Sequence, residues 1–128
     1  MTYRLGTRSR SRLDGVHPDL VMVVERAIQI TGVDFTVLEG LRSVERQETL
    51  VASGASKTMN SRHLTGHAVD LGAWVGGEVR WDWPLYYKIA DAMEAAAEEL
   101  QVPLEWGGNW RTFKDGPHFQ LPWAKYPA

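Results

Sequence analysis

Two short stretches hold most of the residues able to carry out chemistry. The first is Ser61-Arg62-His63-Leu64-Thr65-Gly66-His67-Ala68-Val69-Asp70-Leu71, and the second is Asp115-Gly116-Pro117-His118-Phe119-Gln120-Leu121. His63 and Asp70 are seven positions apart, so on one unbroken strand they would point to opposite faces. Gly66 interrupts that pattern. With His63 on a loop and the strand starting near His67, the residues Ala68, Asp70 and Gly72 share one face, and His67, Val69 and Leu71 share the apolar other. Asp70 then lies on a face lined by small residues, where a metal or ligand can approach. His67 is expected to pack, or to hydrogen-bond behind the site. Pro117 forbids a helix interior and biases Gly116 toward extended geometry, so Asp115 and His118 meet across a turn. His118 and Gln120 face one side of a terminal strand, with Phe119 and Leu121 toward the core. Two imidazoles and one carboxylate, with a fourth position left to water, form the donor set of an open hydrolytic zinc site. Asp115 precedes His118 by three residues and is placed to be a general base. On spacing alone, surface groups or hydrogen-bonded core polar residues would explain the same side chains equally well.

The elements that must position these residues are readable from periodicity and punctuation. His17-Pro18-Asp19 opens a helix, since proline is favoured in the first turn and Asp19 complements the positive helix end. Leu20, Val23, Val24, Ala27 and Ile28 recur at helical spacing until Gly32 stops it. Phe35 to Leu38 predicts a short strand ending at Glu39-Gly40. Ser43 caps a helix running to about Ser53. Residues 54–66 form a polar loop long enough to suggest function. Ala68 to Val75 predicts a strand that returns through Gly76-Gly77 as Glu78 to Trp81. Asp82 and Pro84 start a helix reaching Leu100, with Pro103 preventing continuation. Leu104 to Leu121 should hold two short strands joined by a loop around Gly107 to Gly116. Helices and antiparallel strands are segregated along the chain, which favours a single α+β domain with helices packed on a small antiparallel sheet.

Composition limits the function classes. At 128 residues and 14.4 kDa the chain has about one domain's length, so one domain over residues 1–128, without a separate targeting domain, is expected. There is no cysteine, which excludes disulfides, thiol catalysis and thiolate metal sites. A net charge of −2 and a pI near 6.1 argue against a nucleic-acid-coating protein. Arg4, Arg8, Arg10 and Arg12 nevertheless form a basic N-terminal arm without an acid, whereas Asp91, Glu94, Glu98 and Glu99 crowd one helix. Both read as solvated surface, or the arm as an approach to an anionic polymer or envelope. No apolar run is long enough for stable membrane insertion, and no hydrophobic signal segment opens the chain.

Ser61-x-His63-x-x-Gly66-x-Ala68-x-Asp70, with Asp115-x-x-His118, resembles the motif pair of the zinc peptidases related to D-alanyl-D-alanine carboxypeptidases and dipeptidases. Glu39-Gly40-Leu41-Arg42-Ser43, Arg46-Gln47, Asn60-Ser61-Arg62-His63, Arg8-Ser9, and Leu13-x-Gly15-Val16-His17-Pro18-Asp19-Leu20 resemble a subset within them. That subset is the small phage endolysins acting as L-alanyl-D-glutamate peptidases, and the likeness covers about residues 4–121.

The resemblance implies the fold shared by hedgehog-type domains and D-Ala-D-Ala peptidases. It makes His63, Asp70 and His118 zinc ligands, Asp115 the catalytic acid/base, and Arg42 a donor to the scissile carbonyl oxygen. Ser61 would support substrate or the ligand loop. Trp106 and Trp110, in a Trp-Gly-Gly-x-Trp segment shared with these endolysins, could floor the peptide cleft or pack in the core. Glu105 is a rival base outside the motif turn. The implied activity is peptidoglycan stem-peptide hydrolysis by a monomer accumulating in the host cytoplasm, with a holin giving access to the wall. A D,D-carboxypeptidase or dipeptidase, or a metal-bearing binding module without catalysis, are the alternatives.

Overall fold

The computed structural model describes residues 2–112 and 114–127. In chain order it contains α1 (Thr7–Arg12), α2 (Pro18–Ile30), β1 (Phe35–Glu39), α3 (Val44–Ala52), β2 (Ala68–Val75), β3 (Glu78–Arg80), α4 (Trp83–Leu100), β4 (Glu105–Trp106) and β5 (His118–Gln120). Short 3-10 turns at Arg62–Thr65 and Gly107–Asn109 precede β2 and follow β4. The architecture is the expected α+β arrangement.

The sheet is antiparallel in the order β1-β2-β5-β4, and β3 pairs with the far end of β2. Alternation along β2 sets its two faces. Val69, Leu71 and Ala73 are fully buried and join Phe35, Val37 and Phe119 in the core. The apolar stripes of α2 (Leu20, Val23, Val24, Ala27) and α4 (Ile89, Met93, Ala96) complete that core, as the i, i+3, i+4 spacing requires. Pro18 stands in the first turn of α2, whose N-terminus is capped by His17 Nδ1 accepting the Asp19 N–H at 3.1 Å.

Asp70 and Gly72 lie on the opposite face, and the pairing of β1 with β2 shapes the surface beside them. Register runs Phe35 with Ala73, Thr36 with Gly72 and Val37 with Leu71, then slips so that Glu39 opposes Asp70. This irregularity at Leu38 is a bulge, and it re-aims the strand end. It sets a second carboxylate beside Asp70.

The arginine-rich N-terminal stretch contains a helix that the sequence reading did not place. Residues Thr7–Arg12 form α1, which packs on the edge strand β1. Buried Ser9 accepts the Val37 N–H with its Oγ at 3.0 Å and lies 2.9 Å from Thr36 Oγ1. Arg12 Nη1 donates to the Val37 carbonyl at 2.9 Å. Both backbone groups of Val37 on the edge strand are thereby paired. No apolar periodicity marks α1, because its polar side chains do the packing.

Candidate metal centre

His63 sits in the 3-10 turn, where Ser61 Oγ caps the turn by accepting the His63 N–H at 3.2 Å. Gly66 ends that turn in the left-handed region at φ 76°. A Cβ there would stand 2.2 Å from the Gly15 carbonyl oxygen, so glycine is required both by conformation and by the close chain contact. Asp70 and His118 are direct cross-strand partners on β2 and β5. Loop, strand and terminal strand thus bring three distant residues together. One ligand atom from each of His63, Asp70 and His118 lies within 4.8 Å of the others.

The outward side of each imidazole decides what its inward nitrogen can do. The Gly40 carbonyl lies 2.9 Å from His63 Nδ1; a carbonyl only accepts, so Nδ1 carries the proton and Nε2 turns a lone pair inward. For His118, Nε2 donates to Gln120 Oε1 at 2.7 Å. Gln120 is held in that orientation because its Nε2 donates to Glu105 Oε2 at 3.1 Å. His118 Nδ1 therefore faces Asp70 Oδ1 at 3.3 Å, and His63 Nε2 faces the same oxygen at 3.2 Å. Two neutral imidazole lone pairs and a carboxylate point at one another, an arrangement that calls for a cation. Without a metal, a proton fills that role. Burial alone would raise the Asp70 pKa, but hydrogen bonds from His118 and His63 hold it well below the usual carboxylate range. Burial alone would lower His118, and Asp70 outweighs it and holds the imidazole above its ordinary value. The donor set and its outer hydrogen bonds fit a divalent metal of the zinc type.

Asp115 stands at the start of the turn that leads into β5, and the His118 N–H donates to its carbonyl at 3.2 Å. Its own N–H donates to the Gly107 carbonyl at 3.1 Å, and a Cβ on Gly107 would stand 2.4 Å from the Asp115 carbonyl oxygen. Burial, then the nearby Asp70 charge, push the Asp115 carboxyl above its ordinary pKa, against His118, His63 and Arg42. Trp106 is buried, and its Nε1 donates to the Gly116 carbonyl at 2.8 Å. The ring stacks on Phe119 with centroids 6.3 Å apart, so Trp106 braces the Asp115 turn from the core side and does not floor the cleft.

Arg42 reaches the cluster from the loop after β1, tied there by its backbone N–H donating to the His63 carbonyl at 2.9 Å. Its Nη2 donates to Glu39 Oε1 at 2.6 Å and lies 3.6 Å from Asp70 Oδ2, while Nη1 donates to Gln47 Oε1 at 2.8 Å. Gln47 is fully buried and donates in turn to Ser56 Oγ and to the Thr58 carbonyl. The polar loop is thereby fastened to Arg42.

His63, Asp70, His118, Asp115, Arg42 and Ser61 all line one open cavity of about 470 Å3, together with Trp110 and Trp123. His67 is elsewhere: its ring lies against His17 and Tyr126, 5.4 and 6.4 Å between centroids, with Nδ1 2.6 Å from Thr65 Oγ1. Glu105 holds Gln120 and is not among the cavity residues. Sequence reading missed Glu39, Gln47 and Gln120 as partners of the site. It also missed the C-terminal turn, where Arg62 donates to the Leu121 and Tyr126 carbonyls and lies 4.1 Å from the Trp123 ring centroid. The usable signals were the alternation that put His118 and Gln120 on one face, and the place of Glu39 and Gln47 in the segments that resemble the endolysins.

Known proteins resemble this chain over nearly its whole length. The family described as phage L-alanyl-D-glutamate peptidase matches residues 1–121. The L-alanyl-D-glutamate peptidase of Escherichia phage T5 is 31% identical over 119 residues, covering 90% of this chain and 87% of the relative. The crystal structure of the Serratia marcescens L-Ala D-Glu endopeptidase ChiX superposes with a TM-score of 0.94 at 52% identity, over 99% of this chain and 96% of that one. The vancomycin-resistance D,D-dipeptidase VanXYg shares the fold at 20% identity and a TM-score of 0.55, over 83% of this chain and 50% of its own.

Proposed function

Because this chain belongs to the phage L-alanyl-D-glutamate peptidase family, we propose that His63, Asp70 and His118 hold zinc and that Asp115 and Arg42 carry out stem-peptide hydrolysis beside it. The chain is a peptidoglycan endopeptidase, and the bond cut in this reading joins L-alanine to D-glutamate. The observation that carries the metal assignment is the convergence of two oriented imidazole lone pairs on the Asp70 carboxylate.

A bound zinc ion supplies Lewis acidity toward the scissile carbonyl and acidifies water. Asp115 accepts a proton from the attacking water at its carboxylate and delivers it to the leaving amine nitrogen. Burial and the neighbouring Asp70 charge raise its pKa, which makes it a stronger base than an exposed aspartate. Arg42, held by Glu39 and Gln47, presents a fixed positive charge to the carbonyl oxygen as negative charge develops there. Ser61 keeps the His63 turn in place. His67 and Trp106 act at a distance from the substrate, His67 in packing the C-terminal turn and Trp106 in bracing the Asp115 turn. In this reading the chain works as a monomeric domain on the bacterial wall, reaching it from the host cytoplasm through a holin lesion. No helix among the described residues is long and apolar enough to cross a membrane.

Zinc-loaded protein should convert purified muropeptides to products separated between L-alanine and D-glutamate, weighed by mass spectrometry. Release of a lone terminal alanine would replace the endopeptidase with a D,D-carboxypeptidase. Unchanged muropeptides and unchanged wall turbidity would leave a binding module.

A further inference from the structure

A second cavity, of about 640 Å3, shares no lining residue with the first. Arg4, Arg8 and Arg12 border it, with Trp74, Leu38 and Val79 as its apolar part. Arg12 is committed to the Val37 carbonyl. Arg4 and Arg8 have neither a hydrogen bond nor an ion pair among the described residues, so their charge is available to an outside anion. Asp34 is the acid in the lining; its Oδ1 accepts the Phe35 N–H at 2.9 Å, and burial pushes its carboxyl pKa up. Trp74 is 42% exposed, because alternation along β2 puts it on the face opposite the buried Val69, Leu71 and Ala73.

The cavity is aligned with the metal cluster. Asp70 and Trp74 are four residues apart on β2, so they share one face of the sheet, about 13 Å apart along the strand. Gly72 lies between them, and a Cβ there would meet Val79 and Leu38 at 2.9 and 3.0 Å, so those two side chains cover the intervening surface. An aromatic ring with flanking guanidinium groups is suited to a sugar ring that carries carboxylates nearby. A glycan strand bearing glutamate-containing stem peptides offers that chemistry repeatedly along its length.

We propose that this cavity is an exosite for the polymeric substrate, where Trp74 packs on a sugar of the glycan strand and Arg4 and Arg8 pair with carboxylates of a stem peptide other than the one being cut. The inference rests on the endopeptidase reading. Engagement at two points on one polymer raises local substrate concentration at the metal centre without altering the chemistry.

The test uses the full zinc-loaded chain with Arg4→Gln/Arg8→Gln, Arg4→Glu/Arg8→Glu and Trp74→Ala. On intact sacculi each variant should lose about tenfold or more in kcat/KM, the charge reversal most. On a soluble monomeric muropeptide each should stay within about twofold of wild type, since no second stem peptide is present. Added salt should depress wild-type sacculus turnover more steeply than that of the arginine variants. Equal losses on both substrates would mean damage to the fold and would overturn the exosite, as would no loss on either. Undiminished co-sedimentation with sacculi stripped of stem peptides by an amidase would overturn the carboxylate pairing. Binding to anionic phospholipid vesicles as tight as to sacculi would likewise overturn it, in favour of general charge attraction. A wild-type protein that cuts neither substrate sinks the activity itself, and the exosite with it; cleavage of both, unmoved by the variants, sinks the exosite alone.

Discussion

His118 Nε2 donates to the Gln120 amide oxygen at 2.7 Å, and this bond turns the other ring nitrogen toward Asp70. Glu105 sets the amide the right way round by accepting from its nitrogen. Gln120→Leu keeps the size and removes the acceptor, so His118 becomes free to choose the wrong tautomer. Metal affinity should fall by about 10 to 100-fold, the usual cost of losing such an outer partner. Competition with a chromophoric chelator measures it; unchanged affinity would show that His118 is oriented by packing alone.

Substitution at the cluster should separate metal binding from catalysis. Ala in place of His63, Asp70 or His118 should abolish stoichiometric zinc, read by elemental analysis. Asp115→Asn is nearly isosteric and should keep the metal while losing on the order of 100 to 10,000-fold in kcat. Near-normal turnover in Asp115→Asn would move the base role to another carboxylate of the cavity, Glu39 first.

Arg42→Ala should lower kcat by roughly 100-fold, as for loss of a donor to a developing oxyanion, with zinc content unchanged. Gln47→Leu tests its support. The Arg42 Nη1 bond and the two bonds to the 54–60 loop vanish together. Part of the Arg42 effect should appear, with faster proteolysis of the loop. A Gln47 variant with full activity and an intact loop would refute the coupling.

Two pH dependences follow from the same carboxylates. Asp115 must be ionised to accept a proton, and burial followed by Asp70 raises its pKa. Activity should therefore rise as pH rises through the Asp115 pKa, and that acid limb should be missing from the residual activity of Asp115→Asn. An acid limb that survives unchanged in Asp115→Asn would refute the role. In metal-free protein, the depressed Asp70 pKa contributes stability present above its unfolded value and lost as pH falls through the folded one. The raised His118 pKa contributes stability present below its unfolded value and lost as pH rises through the folded one. Denaturant midpoints of the apoprotein should therefore be highest between about 4 and 6.5, the reference values of the two groups. Zinc binding near neutrality should release a proton, seen as a buffer-dependent calorimetric heat.

Gly116→Ala should damage the Asp115 turn from behind. The added Cβ would stand 2.6 Å from the Tyr86 ring, and Tyr86 is buried beneath the turn with its hydroxyl pKa pushed up to about 12 by burial, then by Asp115 and Asp82. Overpacking should cost about 1–3 kcal/mol, measured by chemical denaturation, and kcat should fall as Asp115 shifts. Full stability would show that Tyr86 can move away freely.

What the sequence determined by itself was the donor chemistry and the local frame. Residue types and spacing in Ser61–Asp70 and Asp115–His118, the stripe of α2, and the alternation of β2 and β5 all depend on neighbours within a few positions. Such local periods survive in the linear chain. Only the tertiary structure decided the rest, because it depends on contacts between distant segments. The slip at Leu38 that sets Glu39 against Asp70 is a property of the paired strands and leaves no mark on either strand alone. Gln120 became a partner of His118 only once Glu105, from another strand, fixed its amide. Arg62 reaches 59 residues along the chain to hold the carbonyl of Leu121, and α1 packs through polar side chains that carry no hydrophobic period. Helix and strand spacing encodes which way a side chain points. Which distant group it meets is settled by how the elements pack.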